Sequence, residues 1–219
     1  KHVIKEVPFF LLLTMTASDA VVLASEIVDN RSLLFEKSIN ISTRGLASFP
    51  HDTEEDKHLI RRISKRRSQW EGRVLELPNV PIRVLMHPLL SDDLIYYLAL
   101  GDYEQPDLDM IAKAVRTGDR VMDIGGGAGI CAVRMAQQAQ TPVVVVEARQ
   151  DLQHLIEQNL DINDVSGVFV HGVLSDEVPN GTLLSFTACE NLWFSSLDGE
   201  KEGTVIDAPS LTLERPYSL

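Results

Sequence analysis

The chain has 219 residues, of which 44% are hydrophobic and 24% are charged. This composition is globular, and the length allows one or two domains with a sizeable core. Its 32 Asp and Glu outnumber 20 Lys and Arg, and the resulting net charge of -12 disfavours a protein that binds nucleic acid by neutralising phosphates. The two cysteines, Cys131 and Cys189, exclude a disulfide scaffold and a cysteine-based zinc site, so we expect a reducing, cytoplasmic location and no metal centre.

Residues 1–72 are predicted to form a mixed N-terminal accessory region. The longest apolar run, residues 7–13, is interrupted by Pro8 and is too short to span a bilayer, so we expect no membrane segment. We predict a buried strand there; a signal-peptide core is the alternative, but no convincing cleavage site follows it. Ser18 can cap a helix over residues 20–28, and residues 29–50 are typical of a linker or hairpin.

A basic helix is predicted next, because Thr53 and Asp56 resemble a shortened capping box and apolar residues then recur at helical spacing. Six basic residues fall within this helix, and three of them share one face. The simpler interpretation is a solvated helix face; an anion or partner site is the alternative. The six are Lys57, Arg61, Arg62, Lys65, Arg66 and Arg67.

Residues 73–219 are predicted to form the main domain, which begins with short elements. Residues 73–86 contain apolar runs broken by prolines and predict two short strands. Residues 91–100 predict a helix that ends near Gly101. Pro106 suits the first turn of a further helix, which Gly118 terminates.

The strongest pattern in the chain is a β-α-β-α-β alternation. Four consecutive valines at 143–146 are typical of a parallel strand that is covered on both faces. An open sheet of this kind binds ligands at the carboxyl ends of its strands, which directs attention to residues 123–129, 147–149 and 174–176. The predicted strands are 120–124, 143–147 and 168–173, and the predicted helices are 130–138 and 152–160.

A glycine-rich loop follows the first of these strands. Asp123, Gly125, Gly127 and Gly129 fit the spacing Asp-x-Gly-x-Gly-x-Gly, but a second frame that ends at Ala132 also satisfies the dinucleotide fingerprint. The glycines permit positive φ and let a ligand approach the bare backbone. Asp123 would repel a pyrophosphate at this helix N-terminus and attract an ammonium or sulfonium group, so the first frame is favoured.

A second carboxylate ends the next strand. Glu147 lies 24 positions after Asp123, where an acid can accept hydrogen bonds from both ribose hydroxyls. The two carboxylates and the glycine loop predict a nucleoside site. A structural glycine turn with incidental acids at strand ends is the alternative.

Several segments on both sides of the loop carry a family resemblance. They are Asp92-Asp93-Leu94-Ile95-Tyr96-Tyr97, Gly101-Asp102-Tyr103-Glu104, Gly118-Asp119-Arg120-Val121-Met122-Asp123, the pair Asn159 and Asn163, residues 193–197 and residues 211–214. Together they resemble an FkbM-type S-adenosylmethionine-dependent methyltransferase over residues 73–214. The resemblance implies an α/β fold with a Rossmann-like class I methyltransferase sheet and helices on both faces. Such enzymes continue into a further acidic strand, so we expect a C-terminally incomplete core, unless residues 3–14 help to complete the sheet.

The resemblance also implies roles for individual residues. Asp123, Gly125, Gly127 and Gly129 would cradle the methionine part of the cofactor, and Glu147 would hold the ribose. Ser175 and Asp176 would lie near the adenine, although both could be ordinary turn formers. Glu104 would close the pocket beside the methionine end; its alternative is an exposed acid near a helix start.

Four further side chains have a structural interpretation that we favour over a functional one. Asn159 and Asn163 are expected to cap their helix and its turn. Cys131 is expected to pack beneath the glycine loop rather than to be a reactive thiol at a helix end. Trp193 and Phe194 are expected in the core rather than in an acceptor wall.

The resemblance implies methyl transfer, most simply to oxygen on a small hydroxylated molecule such as a sugar or polyketide. No catalytic residue can be assigned, since His87, His154 and His171 are candidate bases by residue type alone, and His171 suits a core position. A non-catalytic cofactor-binding domain and an NAD(P)-dependent reductase are the alternatives. The acceptor and the oligomeric state cannot be inferred from the sequence.

Overall fold

The computed structural model describes residues 54–189, 192, 195 and 203–212. Over these residues the protein is mixed α/β, with helices packed on small sheets. The predicted elements at 7–13, 20–28 and 29–50 lie outside the described residues, as do Trp193 and Phe194. In the part of the chain that is described, no helix combines the length and the apolar character needed to cross a membrane.

The basic helix, α1, spans Glu54–Trp70 and packs against α2, Asp92–Leu100. Ile63 is buried between them, and the basic residues of α1 are exposed apart from Arg67. Arg67 donates from Nη1 to Asp92 Oδ1 at 2.9 Å and from Nη2 to the carbonyl oxygen of Leu90. The exposure of the other basic residues is what a solvated face requires, and the alternative of an anion or partner site stays a prediction. Arg67 instead fastens the two helices together.

Two short antiparallel strands and a third helix follow the predicted pattern. β1 is Val74–Glu76 and β2 is Arg83–Leu85. Ser91 caps α2 by accepting a hydrogen bond from the Leu94 amide, and α3 spans Gln105–Ala114 with Pro106 in its first turn. The domain boundary at residue 72 stays a prediction.

The predicted β-α-β-α-β alternation is confirmed. β3 is Val121–Ile124, β4 is Val143–Glu147 and β5 is Gly167–His171, and they form a parallel sheet in the order β3-β4-β5. The connecting helices are α4, Ile130–Ala139, and α5, Gln153–Ile162, which follows a 3₁₀ turn. The glycine loop and the end of β4 are therefore neighbours at the carboxyl ends of the parallel strands.

Both connecting helices lie on one face of this sheet. Val143 and Val145 point towards α5, since a Cβ at Gly167 would contact Val143 and Leu160, and one at Gly126 would contact Val145. Successive right-handed crossovers in one direction place α4 on this same face, where it packs against α5. Within the described residues, the connecting helices thus do not cover both faces as expected, and Val168 on the opposite face is 57% exposed.

The strand expected at 168–173 is divided at Gly172. Its second part, β6 (Val173–Leu174), pairs in parallel with β8, Thr204–Leu211, which pairs antiparallel with β7, Leu183–Ala188. β8 passes so close that a Cβ at Gly172 would lie 2.6 Å from the Pro209 carbonyl oxygen. The β7–β8 hairpin reaches back to the loop that follows β4.

Candidate functional site

The glycine loop, residues 125–129, joins β3 to α4 and exposes backbone to the site. Gly125, Gly127 and Gly129 have φ of 78°, 52° and 78°, which side-chain-bearing residues rarely adopt. A Cβ at Gly125 would meet no atom within 4 Å, so the space above this backbone is open. The predicted loop geometry is therefore present, and a ligand can approach the peptide groups there.

Gly126 is a residue that the sequence motif left unassigned. A Cβ at this position would lie 2.2 Å from Cγ1 of Val145. The loop thus packs directly on β4, and only glycine fits without displacing the strand. The sequence did contain a signal for this close packing. Three consecutive glycines occur at 125–127, whereas the motif needs glycine only at the first and third of these positions.

Glu147 is buried at the end of β4 and fastens two backbone segments. Its Oε2 accepts from the Gly127 amide and its Oε1 from the Arg149 amide, both at 2.9 Å. Burial raises the pKa of this carboxyl, and the two hydrogen bonds from backbone amides oppose that rise. A carboxylate can accept about four hydrogen bonds, so acceptor capacity remains for the two hydroxyls of a ribose.

Asp123 is 0% exposed at the end of β3. Among the described residues, neither of its carboxyl oxygens has a hydrogen-bond partner of normal geometry. Burial raises the pKa of Asp123 to about 7, and the charge of Glu147 adds to the rise, while the Ala132 amide approaches closely enough to oppose it. Buried polar groups are nearly always paired in proteins, so a carboxyl without a partner among the described residues is an exception that requires an explanation.

Glu104 stands at the start of α3 with a left-handed φ of 49°. It is half-buried, and its Oε2 accepts a hydrogen bond from Cys131 Sγ at 3.2 Å. Burial raises the pKa of Glu104 to about 8, and the neighbouring Asp107 adds to the rise. The alternative of an exposed acid at a helix start is therefore wrong for Glu104, because its side chain turns inward to α4.

Two neighbours of Glu104 were not predicted as site residues. Tyr103 is buried and hydrogen-bonds to Glu104 through its side chain, and burial raises the pKa of its phenol. Burial likewise raises the pKa of Asp107 to about 6. The sequence signal was the Tyr-Glu element followed by an acid three residues later, which sequence pattern alone does not distinguish from an exposed helix start.

Cys131 is buried, with 1% exposure, as a packing residue requires. Its predicted place beneath the glycine loop stays a prediction. Burial raises the pKa of this thiol, and the charge of Glu104 raises it further. A reactive thiolate at the helix end is therefore excluded. The thiol instead donates the hydrogen bond that orients Glu104.

Ser175 and Asp176 follow β6 and have the contacts of a turn. The Ser175 amide donates to the Leu211 carbonyl oxygen at 3.0 Å, and its hydroxyl accepts from the Glu177 amide at 3.3 Å. Asp176 is exposed. No hydrogen bond in the described part of the chain joins either residue to Asp123 or Glu147, so their role beside an adenine stays a prediction.

Asn159 and Asn163 do more than cap their own helix. Asn159 accepts from the Leu85 amide and donates to the Ala128 carbonyl oxygen, each at 2.8 Å. Asn163 accepts from the Arg83 amide at 2.8 Å and donates to the Arg83 carbonyl oxygen at 2.6 Å. The local-capping prediction is thus too narrow, because the pair also ties β2 and the glycine loop to α5.

An open cleft of about 740 Å³ lies between the loop after β4 and the β7–β8 hairpin. Arg149 crosses towards the hairpin and donates to the Cys189 carbonyl oxygen at 2.9 Å. Nε2 of His171 donates to the Ala148 carbonyl oxygen at 3.0 Å, since a carbonyl can only accept. His154 is exposed, and His87 accepts from the Leu89 amide, so neither is placed at the cleft. Residues lining the cleft include Arg149, Asp151, His171, Cys189, Thr204 and Asp207.

The described residues bring together Glu104, Asp123, Glu147 and the glycine loop. They place no three His, Cys, Asp or Glu side chains where these could share a metal ion. The chain matches no protein-family model, and no curated protein matches it. The inference about which ligand the site binds therefore rests on the geometry and charge of the site itself.

Proposed function

We propose that this chain is an S-adenosylmethionine-dependent methyltransferase of the FkbM type, acting in the cytoplasm on a small hydroxylated acceptor. The observation that carries the proposal is the fully buried carboxyl of Asp123, which has no hydrogen-bond partner of normal geometry in the described part of the chain and lies two residues before the glycine loop. A carboxyl in this state costs stability unless a cationic partner completes it. The parallel order β3-β4-β5 also suits a Rossmann-like class I sheet.

The residues present fit this cofactor. Asp123 and the backbone of the glycine loop would hold the charged methionine part, and Glu104, which interacts electrostatically with Asp123, would close the pocket beside it. Glu147, which keeps acceptor capacity beyond its two amide bonds, would hold the ribose hydroxyls. The bound cofactor supplies an electrophilic methyl group, and this chain's contribution is to position and desolvate the acceptor next to it.

A dinucleotide fits less well at the same loop. Its pyrophosphate would sit at the N-terminus of α4, where Asp123 and Glu147 are both buried and both acidic. The two carboxylates would repel it at short range and low effective dielectric. Charge is therefore the property that separates the two cofactor classes here.

The test is calorimetric titration of the whole chain with S-adenosylmethionine and, separately, with NADPH. We expect S-adenosylmethionine to bind and the Asp123→Asn variant to lose at least about tenfold in affinity, equivalent to about 1.4 kcal/mol. The matched control is Asp109→Asn, an exposed acid on α3 that should leave affinity unchanged. Full affinity in Asp123→Asn, or binding of NADPH alone, would contradict the proposal.

Catalysis is tested separately by transfer of labelled methyl groups to a panel of sugars and phenolic or polyketide alcohols. We expect label in at least one hydroxylated acceptor. Tight cofactor binding without transfer to any acceptor would instead support the non-catalytic cofactor-binding domain.

A further inference from the structure

Three carboxyls, a thiol and a phenol act on one another's ionisation where the start of α3, the end of β3 and the start of α4 meet. Glu104 and Asp107 come from the start of α3, Asp123 from the end of β3 and Cys131 from the first turn of α4, while Tyr103 precedes Glu104. The closest measured contact is the 3.2 Å hydrogen bond between Cys131 Sγ and Glu104 Oε2. We call these five residues the carboxyl cluster.

The carboxyl cluster has no internal cation. Within the described residues, no Lys, Arg or His ion-pairs with Glu104, Asp107 or Asp123. A further acid, Glu147 on β4, raises the pKa of Asp123. Among the described residues, the charged neighbours that raise this pKa are both acids, Glu147 and Asp107, and neither Asp123 oxygen has a normal hydrogen bond.

Acids that act on one another at short range do not ionise independently. When one of them loses its proton, the resulting charge favours retention of the proton on the next. The pKa of Glu104 is raised to about 8, that of Asp123 to about 7 and that of Asp107 to about 6, each chiefly by burial. Burial also raises the pKa values of Tyr103 and Cys131, so both remain neutral donors in this range.

We propose that the carboxyl cluster is a proton-coupled cation site: when empty it retains a proton on one of its carboxyls, and a sulfonium or ammonium ligand replaces that proton. The inference rests on the proposed function, because S-adenosylmethionine carries both cationic groups. The exchange conserves charge within the interior, since a positive group enters as a proton leaves to solvent. The site therefore selects cationic ligands and binds them more tightly as the pH rises.

Linkage fixes the sign and size of the effect. A ligand that releases one proton gains about tenfold in affinity for each pH unit over which the empty site is protonated and the occupied site is not. We expect the affinity to rise with pH up to about pH 8 and to level off above it, because the carboxyls of the empty site, with pKa values of about 7 and about 8, hold protons only below that range.

The first experiment is calorimetry of S-adenosylmethionine binding in phosphate and in Tris, whose ionisation enthalpies differ, so that the number of protons released can be counted. We expect release approaching one proton near neutral pH. In Glu104→Gln the count should fall by about half or more and the pH dependence should flatten. Asp109→Asn, on the same helix but exposed, should behave as the unmodified chain does.

Two failures are distinguishable. Binding of S-adenosylmethionine with no proton release at any pH would overturn the coupling and leave the proposed function standing. Absence of binding at every pH would overturn the proposed function, and the coupling with it.

A second readout needs no ligand: carbon NMR titration of the side-chain carboxyls in the empty protein. The proposal requires a glutamate with a midpoint above neutral pH whose signal is missing in Glu104→Gln. A Glu104 midpoint near the ordinary value of about 4.3 would overturn it.

Discussion

Two regions of this protein bury polar side chains in opposite ways. At the seam between β2 and α5, the Asn159 amide is 1% exposed and uses both its oxygen and its nitrogen in hydrogen bonds to backbone. At the end of β3, the Asp123 carboxyl is 0% exposed and uses neither oxygen in a normal hydrogen bond among the described residues. Both sites adjoin the same glycine loop, because Asp123 precedes it by two residues and Asn159 donates to the Ala128 carbonyl oxygen within it.

The difference distinguishes polar groups that stabilise the fold from polar groups that are available to a ligand. A buried polar group with all its partners stabilises one backbone arrangement, and its removal leaves those partners unpaired. A buried polar group without partners costs stability and is retained where a ligand completes it. The comparison predicts that substitutions should destabilise the seam and stabilise the site.

The largest effect is expected for Asn159→Leu. It removes the acceptor of the Leu85 amide and the donor to Ala128, so two buried backbone groups lose their partners. We expect the free energy of unfolding to fall by about 3 kcal/mol. Urea denaturation checks this, with Asp161→Ala on the exposed side of α5 as the control. A loss no greater than in that control would show that the seam is not a support.

Asp123→Asn should have the opposite sign. The pKa of Asp123 is raised to about 7 in the folded protein, so between about pH 4 and about pH 7 the folded state binds more protons than the unfolded state and stability falls as the pH rises. Asparagine cannot ionise, so this variant should be similar to the unmodified chain near about pH 4 and more stable by about 2 kcal/mol or more near about pH 8. Denaturant curves at the two pH values measure it; destabilisation at both would contradict the comparison.

Glu147→Gln lies between these extremes, since Glu147 is buried but accepts two amide hydrogen bonds. A glutamine has one acceptor oxygen, so its NH₂ group must face the amide of either Gly127 or Arg149. We expect a loss of about 1 kcal/mol in unfolding free energy together with weaker cofactor binding. Calorimetry measures the loss of binding and thermal melting the loss of stability. A stabilised variant would show that Glu147, like Asp123, costs the empty protein stability.

The smallest effect is expected for Arg83→Ala at the outer end of the seam. Its guanidinium pairs with Asp164 at 2.8 Å, but the Asp164 side chain is 88% exposed. Solvent screens such a pair, so we expect a change of at most about 0.5 kcal/mol. A larger loss in urea denaturation would show that the seam extends to the surface.

The sequence was sufficient for features that depend on local pattern. The β-α-β-α-β alternation, the glycine loop and the position of Glu147 follow from hydrophobic period, glycine spacing and strand ends, and all three lie where they were expected. The inward turn of Glu104 could not be predicted, because it depends on α4 presenting Cys131 to a left-handed residue at the start of α3.

Other features depended on contacts between distant segments. Asn159 and Asn163 were assigned to local caps because their β2 partners are more than seventy residues away, with separations of 74 and 80 positions. The division of one expected strand at Gly172 depends on the close approach of Pro209. No periodicity within a single segment reports such contacts.

The left-handed backbone at Glu104 gives this position a particular value for redesign of the pocket. A residue with a side chain is disfavoured in that conformation by about 1 kcal/mol, whereas glycine adopts it freely and asparagine more readily than most residues. Both replacements that relax the turn also delete the acid. Retuning the pocket for an uncharged ligand would therefore stabilise the turn, while strengthening its preference for cations would have to begin at another residue.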